Sequence, residues 1–275
     1  MKVRNDFIPK TLQDFLVTTF VSIIIPIVYW FEIFEVLPTF YNQWHGWYNF
    51  HFILGTFILF NITTNFIGVI LIDTSIRGLM LPSKPEKNWR FCAVCECVAP
   101  PRSWHCNICK TCILKRDHHC IFTGCCIGHN NFRYFFMFVI YIFAATLYAS
   151  YYNIFYIYNS VELGSYMSIL KLVFPLAMIF VEYTMNQLFL FLVLIVTVGC
   201  VFTGVLFYFH TNLMINGMIT YERKFKDRFY DTGTLNNLAI CLGERWYLTW
   251  ISPFVQSNLT HDGVNWVAQD TNKSK

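Results

Sequence analysis

The chain has 275 residues, of which 56% are apolar, 19% aromatic and only 13% charged, with a formal net charge of +4. A soluble domain carries about 25% charged residues, so this composition excludes an ordinary water-facing globule. The deficit is concentrated in long apolar runs, which places the protein in a membrane.

In chain order, a short tail (1–14) precedes two runs, 15–36 "FLVTTFVSIIIPIVYWFEIFEV" and 51–72 "HFILGTFILFNITTNFIGVILI". Each is close to the roughly 20 residues needed to cross a bilayer. The basic-then-apolar start imitates a signal peptide, but the run exceeds a signal core of about 7–15 residues and no small-residue cleavage site follows. It is expected to remain as the first span. The loop 37–50 holds Trp44 and Trp47, suited to an interfacial aromatic belt. A polar stretch, "NITTN" (61–65), interrupts the second span and predicts interhelical hydrogen bonding, with cavity lining as the alternative. Two further runs follow at 134–157 and 188–210. The run 167–181 is short, contains Lys171 and Pro175 and precedes Glu182, so it reads as interfacial or re-entrant, with a fifth span as the alternative. The ending "TNKSK" lacks the second lysine of a dilysine retrieval signal.

Basic residues set the orientation, because cytoplasmic loops are enriched in Lys and Arg. With four spans, 19 of the 20 Lys and Arg residues fall on one side, Lys171 being the exception. A fifth span would carry the seven basic residues after 210 across the membrane. The expected division is a cytosolic tail (1–14), two helices (15–72), a cytosolic cysteine-rich domain (73–133), two helices with a non-cytosolic loop (134–210) and a cytosolic tail (211–275).

Nine of the eleven cysteines lie in the 73–133 segment, and in the reducing cytosol metal ligation is a better reading than disulfides. Cys200 and Cys241 read as small apolar residues. The segment runs "CAVCECVAPPRSWHCNICKTCILKRDHHCIFTGCC" (92–126). Two C-x-x-C turns with further Cys and His residues predict tetrahedral zinc sites. Few apolar residues separate the ligands, so metal must supply the folding free energy. His105 and Cys106 are adjacent, and neighbours in extended backbone face opposite ways, so they should serve different metals. Two zincs need eight ligands, and more than eight candidates are present. Something is left over.

From Cys92 through Cys126 to Asn131 and Phe135, this pattern resembles the DHHC protein S-acyltransferases, or palmitoyltransferases. The resemblance implies an all-α polytopic membrane protein of four transmembrane helices, with a two-zinc cytosolic domain of short β-hairpins between helices 2 and 3. It implies that Cys92, Cys95, His105 and Cys112 bind one structural Zn2+ and that Cys106, Cys109, His119 and Cys126 bind the other. Asp117, His118 and Cys120 are then left as the catalytic group. Cys120 would be the nucleophile, His118 its base and Asp117 the group that orients the base. The implied reaction is ping-pong transfer of a long-chain acyl group from acyl-CoA, as co-substrate, to cysteine thiols of membrane-associated proteins. The lipid bilayer is the expected environment, Golgi or endoplasmic reticulum the expected location, and no nucleic acid is an expected partner. The acyl chain would lie between the spans, where Ala144 and Ala145 leave room or simply let helices approach.

The sequence departs from the family pattern in places. Ile121-Phe122 stand where Pro-Trp is usual, and Cys125 where Asn is usual. Asp73-Thr74-Ser75 replaces Asp-Pro-Gly, and Ile219-Thr220-Tyr221-Glu222 replaces Thr-Thr-x-Glu, so Thr220 could still reach the catalytic region. Asn237 matches the Asn of the family's tail motif. Arg102, Lys110, Lys115 and Arg116 are expected to meet anionic lipid, with CoA phosphates as the alternative. His45 and His129 read as interfacial residues, and Cys97 and Cys125 as structural thiols or secondary acylation sites. Two other functions compete. A zinc-stabilised scaffold without turnover would not need Asp117, His118 and Cys120. The other competitor is a metal transporter or thiol oxidoreductase, and a transporter should show ionisable ligands within the spans, which contain almost none.

Overall fold

The computed structural model describes residues 2–81, 88–160, 165–225 and 228–267. The "TNKSK" ending lies outside them. Among the described residues, four helices are long and apolar enough to cross a membrane: Leu12–Thr39, Gly46–Leu71, Phe132–Asn159 and Met185–Ile215. A helix satisfies its backbone polar groups internally, as a lipid core requires. The first is α1 (Leu12–Phe31), which continues through a π-turn at Glu32–Val36 and a 3-10 turn at Leu37–Thr39. Then come α2 (Gly46–Leu71), α3 (Phe132–Ser160) and, later, α6 (Met185–Ile215). The first, third and fourth extend past the predicted apolar runs at both ends, and the second begins five residues earlier and ends one residue sooner.

The 167–181 run folds as two short helices, α4 (Tyr166–Val173) and α5 (Pro175–Val181), broken at Phe174. Pro175 disfavours the helical conformation in the residue before it, and at 1.5 Å per residue neither piece can cross a bilayer. Lys171 and Glu182 form an ion pair, and the buried Gln187 amide donates to the carbonyls of Lys171 (3.1 Å) and Pro175 (3.0 Å).

The chain forms two compact units. One comprises residues 22–62 and 139–207, which hold the C-terminal parts of α1 and α3, the N-terminal parts of α2 and α6, and α4 and α5. Its core centres on Phe31, edge-on to Tyr156 (5.8 Å) and tilted on Phe189 (5.2 Å). Within it, Asn153 donates to the Glu32 carboxylate (2.8 Å), and the Asn61 amide donates to Phe57 O (3.0 Å). Ala144 is exposed and Ala145 half-buried.

The other unit holds the chain up to Val21, Thr63–Phe138 and everything from Tyr208 on. Three antiparallel hairpins lie in series between α2 and α3. They are β1–β2 (Arg90–Cys92, Cys97–Ala99), β3–β4 (Trp104–Cys106, Thr111–Ile113) and β5–β6 (His118–Cys120, Cys125–Ile127). Their registers repeat: Cys92 opposes Cys97, Cys106 opposes Thr111 and Cys120 opposes Cys125. Each turn reverses through a left-handed residue at the same place, Glu96 (φ 50°), Lys110 (φ 54°) and Gly124 (φ 61°). Only the third needs glycine for space as well, since a Cβ there would sit 2.8 Å from Pro9 Cγ. Two short helices complete the tail, α7 (Thr220–Phe225) and α8 (Thr234–Leu242).

Asn131 ties the third hairpin to α2. It is fully buried, donates to Val69 O (3.2 Å) and Cys126 O (3.0 Å), and accepts from Gly128 N (2.9 Å). Thr74 and Ile76 pair with the middle hairpin through Leu114 N→Thr74 O (2.9 Å) and Ile76 N→Cys112 O (3.0 Å). The hairpins are therefore hydrogen-bonded into the unit on both sides.

Candidate active site

Strand alternation sorts the site residues. Successive side chains on a strand point to opposite faces. On β3, His105 lies directly across from Cys112, and on β5 His119 lies across from Cys126. Cys106 leaves the opposite side of β3 from His105. The result is two interleaved clusters, Cys92, Cys95, His105 and Cys112, and Cys106, Cys109, His119 and Cys126. Within each, the ligand atoms lie within 4.8 Å of one another. His105 Nδ1 is 3.2 Å from Cys95 Sγ, and His119 Nδ1 is 3.4 Å from Cys109 Sγ. Three sulfurs and one imidazole nitrogen match the donor set of a structural zinc site, so both clusters could hold zinc. The back of His119 is also held, Nε2 donating to the buried Asp14 carboxylate of α1 at 3.3 Å. A carboxylate behind a ligating histidine fixes its ring and tautomer.

The same alternation puts His118 and Cys120 together on the face of β5 away from His119. Cys120 belongs to neither cluster. The hairpins explain why it is spared. Cys92 and Cys106 each have a second cysteine three residues on, whereas Cys120 has Thr123 there. The third hairpin repeats the Cys-x-x-Cys turn of the other two with its second cysteine missing. Thr123 instead bonds locally, its hydroxyl to Cys120 O (3.4 Å) and Cys125 Sγ to its oxygen (3.5 Å).

His118 Nδ1 donates to Asp117 Oδ2 at 2.7 Å. Asp117 is further braced by Thr220, whose N–H reaches Oδ1 (2.9 Å) and whose hydroxyl reaches Oδ2 (2.9 Å). Burial favours the neutral acid of Asp117, but the hydrogen bond and charge of His118 prevail and hold its pKa below the usual value. Burial likewise opposes the His118 imidazolium, and the hydrogen bonds to Asp117 and Cys120 outweigh it, raising the pKa to about 9. For Cys120, burial opposes the thiolate, yet the bond to His118 brings its pKa below the ordinary thiol value. Each of the three is shifted in the direction that favours its charged form beside the other two.

Several supporting residues were not legible in the sequence. Arg102, expected at a lipid surface, is buried and makes a bidentate pair with Glu222 (2.8 and 2.7 Å). It also donates to Gly217 O (2.8 Å) and lies over the rings of Tyr230 and Trp266. Glu222 in turn accepts from Ile219 N (2.9 Å), at the start of the helix that carries Thr220. Removing one partner leaves the other charge buried and unpaired, which costs about 3–5 kcal/mol. Arg102→Ala is therefore expected to lower the thermal unfolding midpoint sharply and to slow catalysis by loosening Thr220. An unchanged melting curve of the purified variant in detergent would contradict this.

Lys115 is buried too, its ammonium 3.2 Å from Cys241 Sγ. Of the basic residues predicted to meet lipid, Lys110 is exposed and Arg116 half-buried. The aromatic rings and Glu222 of the tail account for the difference, and they lie far away in sequence. His129 is buried rather than interfacial and donates to His261 O (2.7 Å), while His45 is exposed. Cys125 is buried and bonds to Val69 O (3.6 Å), a packing role, and Cys97 is half-buried beside Ala99 and Cys112. Asn237 donates to Ile215 O (2.9 Å) and thereby fastens α8 to the end of α6.

One further residue stands beside the trio. His210, near the end of α6, places Nδ1 3.8 Å from Asp117 Oδ2, and Asp117, His118 and His210 have potential ligand atoms within 4.8 Å of one another. No motif in the sequence singles it out.

Comparison with known proteins agrees with this geometry. The model of the DHHC palmitoyltransferase family matches residues 85–227, more than half of the chain. The chain is similar to the probable palmitoyltransferase ZDHHC24 of Mus musculus, 33% identical over 226 residues that cover 77% of this chain and 76% of that one. Its Homo sapiens counterpart is 35% identical over 226 residues, with the same shares covered. Palmitoyltransferase ZDHHC9 of Homo sapiens is 38% identical over 76 residues, 27% of this chain and 21% of that one. The likeness to the first two extends well beyond the hairpins that keep Cys120 apart from both clusters, and with its four spanning helices this chain belongs to the DHHC palmitoyltransferase family.

Proposed function

We propose that this multi-pass membrane palmitoyltransferase acts through an S-acyl-Cys120 intermediate, taking the acyl group from a long-chain acyl-CoA and passing it to cysteines of membrane-associated proteins. The observation that carries the reading is the β5 face shared by His118 and Cys120, with Asp117 behind the imidazole.

In the first half-reaction the Cys120 proton passes to His118, and the thiolate attacks the thioester carbonyl. The bond to the CoA sulfur breaks, and CoA leaves as the thiol with the proton from His118. In the second, a substrate thiol gives its proton to His118 and attacks the acyl-Cys120 carbonyl. Cys120 departs and recovers the proton. One thioester replaces another, so the site needs to supply only geometry and a base. Asp117 stays ionised throughout and keeps the ring's Nδ1–H engaged, which leaves Nε2 for the thiol.

The roles proposed for the clusters are structural. Cys92, Cys95, His105 and Cys112 would hold one zinc, and Cys106, Cys109, His119 and Cys126 the other. With four protein ligands each, these ions would cross-link the hairpins and fix β5.

The domain division read from the sequence is proposed as well. With 19 of 20 basic residues on one side under four spans, the hairpins and both tails face the cytosol. A Golgi or endoplasmic reticulum location is proposed from the family resemblance. Placement of Cys120 at the cytosolic membrane surface suits the substrate, since hydrating an acyl chain costs about 0.8 kcal/mol per methylene.

The direct test is mass spectrometry of purified protein incubated with acyl-CoAs of graded chain length. A single hydroxylamine-labile adduct on the peptide bearing Cys120 is expected. An adduct confined to Cys97 or Cys125 would refute the assignment.

A further inference from the structure

We infer that His210 is a positioning residue for this reaction: a second imidazole that holds the Asp117 carboxylate in place as His118 shuttles the proton. The inference rests on Cys120 as nucleophile and His118 as base.

His210 is almost completely buried, and its Nδ1 has no hydrogen-bond partner. The ring lies edge-on to Phe135 (4.9 Å, 83°) and to Phe132 (6.2 Å), and 5.4 Å from the ring of His118. Phe135 also stands edge-on to His118 (5.2 Å). These rings leave little room for a bridging water. A buried polar nitrogen without a partner is destabilising and calls for a reason. The acceptor it faces is Asp117 Oδ2, 3.8 Å away, about 1 Å beyond a normal hydrogen bond.

Oδ2 already accepts from His118 Nδ1 and from the Thr220 hydroxyl. The His118 Nδ1–H bond to Oδ2 is kept throughout, and the His210 ring stands as a further donor toward the same oxygen. A small shift lets His210 Nδ1–H share that oxygen, so the carboxylate keeps its orientation while His118 passes the proton at Nε2. His210 touches neither thiol nor thioester in this scheme. Its effect reaches Cys120 through Asp117 and His118.

The test measures single-turnover acylation of Cys120 by palmitoyl-CoA in detergent, together with steady-state transfer to a cysteine peptide. His210→Phe keeps the ring packing and removes the donor. It should slow acylation about 10- to 100-fold, the range expected for a slightly misplaced catalytic group, and leave KM for palmitoyl-CoA unchanged. His210→Asn sets an amide N–H near the position of Nδ1 and should recover most of the rate. Wild-type rates in the Phe variant, or an Asn variant no faster than Phe, would overturn the proposal. If the Phe variant fails to fold, as judged by zinc content and gel filtration, His210→Leu replaces it in the same comparison. Cys120→Ser run in parallel separates the two claims. Loss of the adduct there with a fully active His210→Phe refutes His210 alone, whereas an adduct that survives in Cys120→Ser refutes the nucleophile.

Discussion

Cys120→Ser is expected to abolish the hydroxylamine-labile adduct and to reduce acyl transfer by at least about 10³-fold, the scale on which removal of a covalent nucleophile is felt. A serine hydroxyl in the same place would not ionise beside His118, whereas the thiol already has its pKa lowered there. The substitution is isosteric and leaves all eight cluster residues untouched, so zinc content and thermal midpoint should match the wild type. That combination, intact protein and lost chemistry, distinguishes an enzyme from a membrane scaffold. Undiminished transfer by the serine variant would end the mechanism proposed here.

Metal removal is expected to have an effect of similar size by a different route. Each hairpin has strands of only three residues, and the apolar clusters beneath them include the candidate ligands Cys106, Cys112 and Cys126 themselves. Isolated two-stranded hairpins are marginal in water, and structural zinc contributes an apparent 10–16 kcal/mol or so to small metal-folded peptides. A strong chelator should therefore unfold the hairpins and abolish acylation together, with new protease cleavage between residues 90 and 127. The two clusters should differ in consequence. His119 sits between His118 and Cys120, so Cys109→Ser should depress acylation more than Cys95→Ser at equal zinc loss. Full activity after verified loss of both ions would remove the structural-zinc assignment.

What could be read without coordinates was local. The four spans follow from apolar run length, and the adjacency of His105 and Cys106 separates these two residues into different clusters, whose full membership the resemblance implied. The resemblance then pointed to Cys120 as the cysteine left over. A simpler signal was also present in the spacing: Cys92, Cys106 and Cys120 recur every fourteen residues, and Thr123 breaks the pattern at the third copy. The basic residues were misread for the opposite reason. Arg102 and Lys115 look like surface charges until Glu222, Cys241 and the aromatic tail close over them, and those partners lie more than a hundred residues downstream.

By itself, the sequence determined that this protein lies in a membrane and carries clustered Cys and His residues at metal-ligand spacing, because apolar run length and turn spacing act over a few neighbouring residues. The resemblance those residues carry pointed to Cys120. Only the tertiary structure decided what surrounds that cysteine's base. Thr220 bonds to Asp117 as its motif led one to expect, but His210 comes within 3.8 Å of Asp117, and Asp14 reaches His119, across about a hundred positions of chain. No local pattern encodes such meetings, since they exist only once the ends of the long helices and the tail have packed around the hairpins.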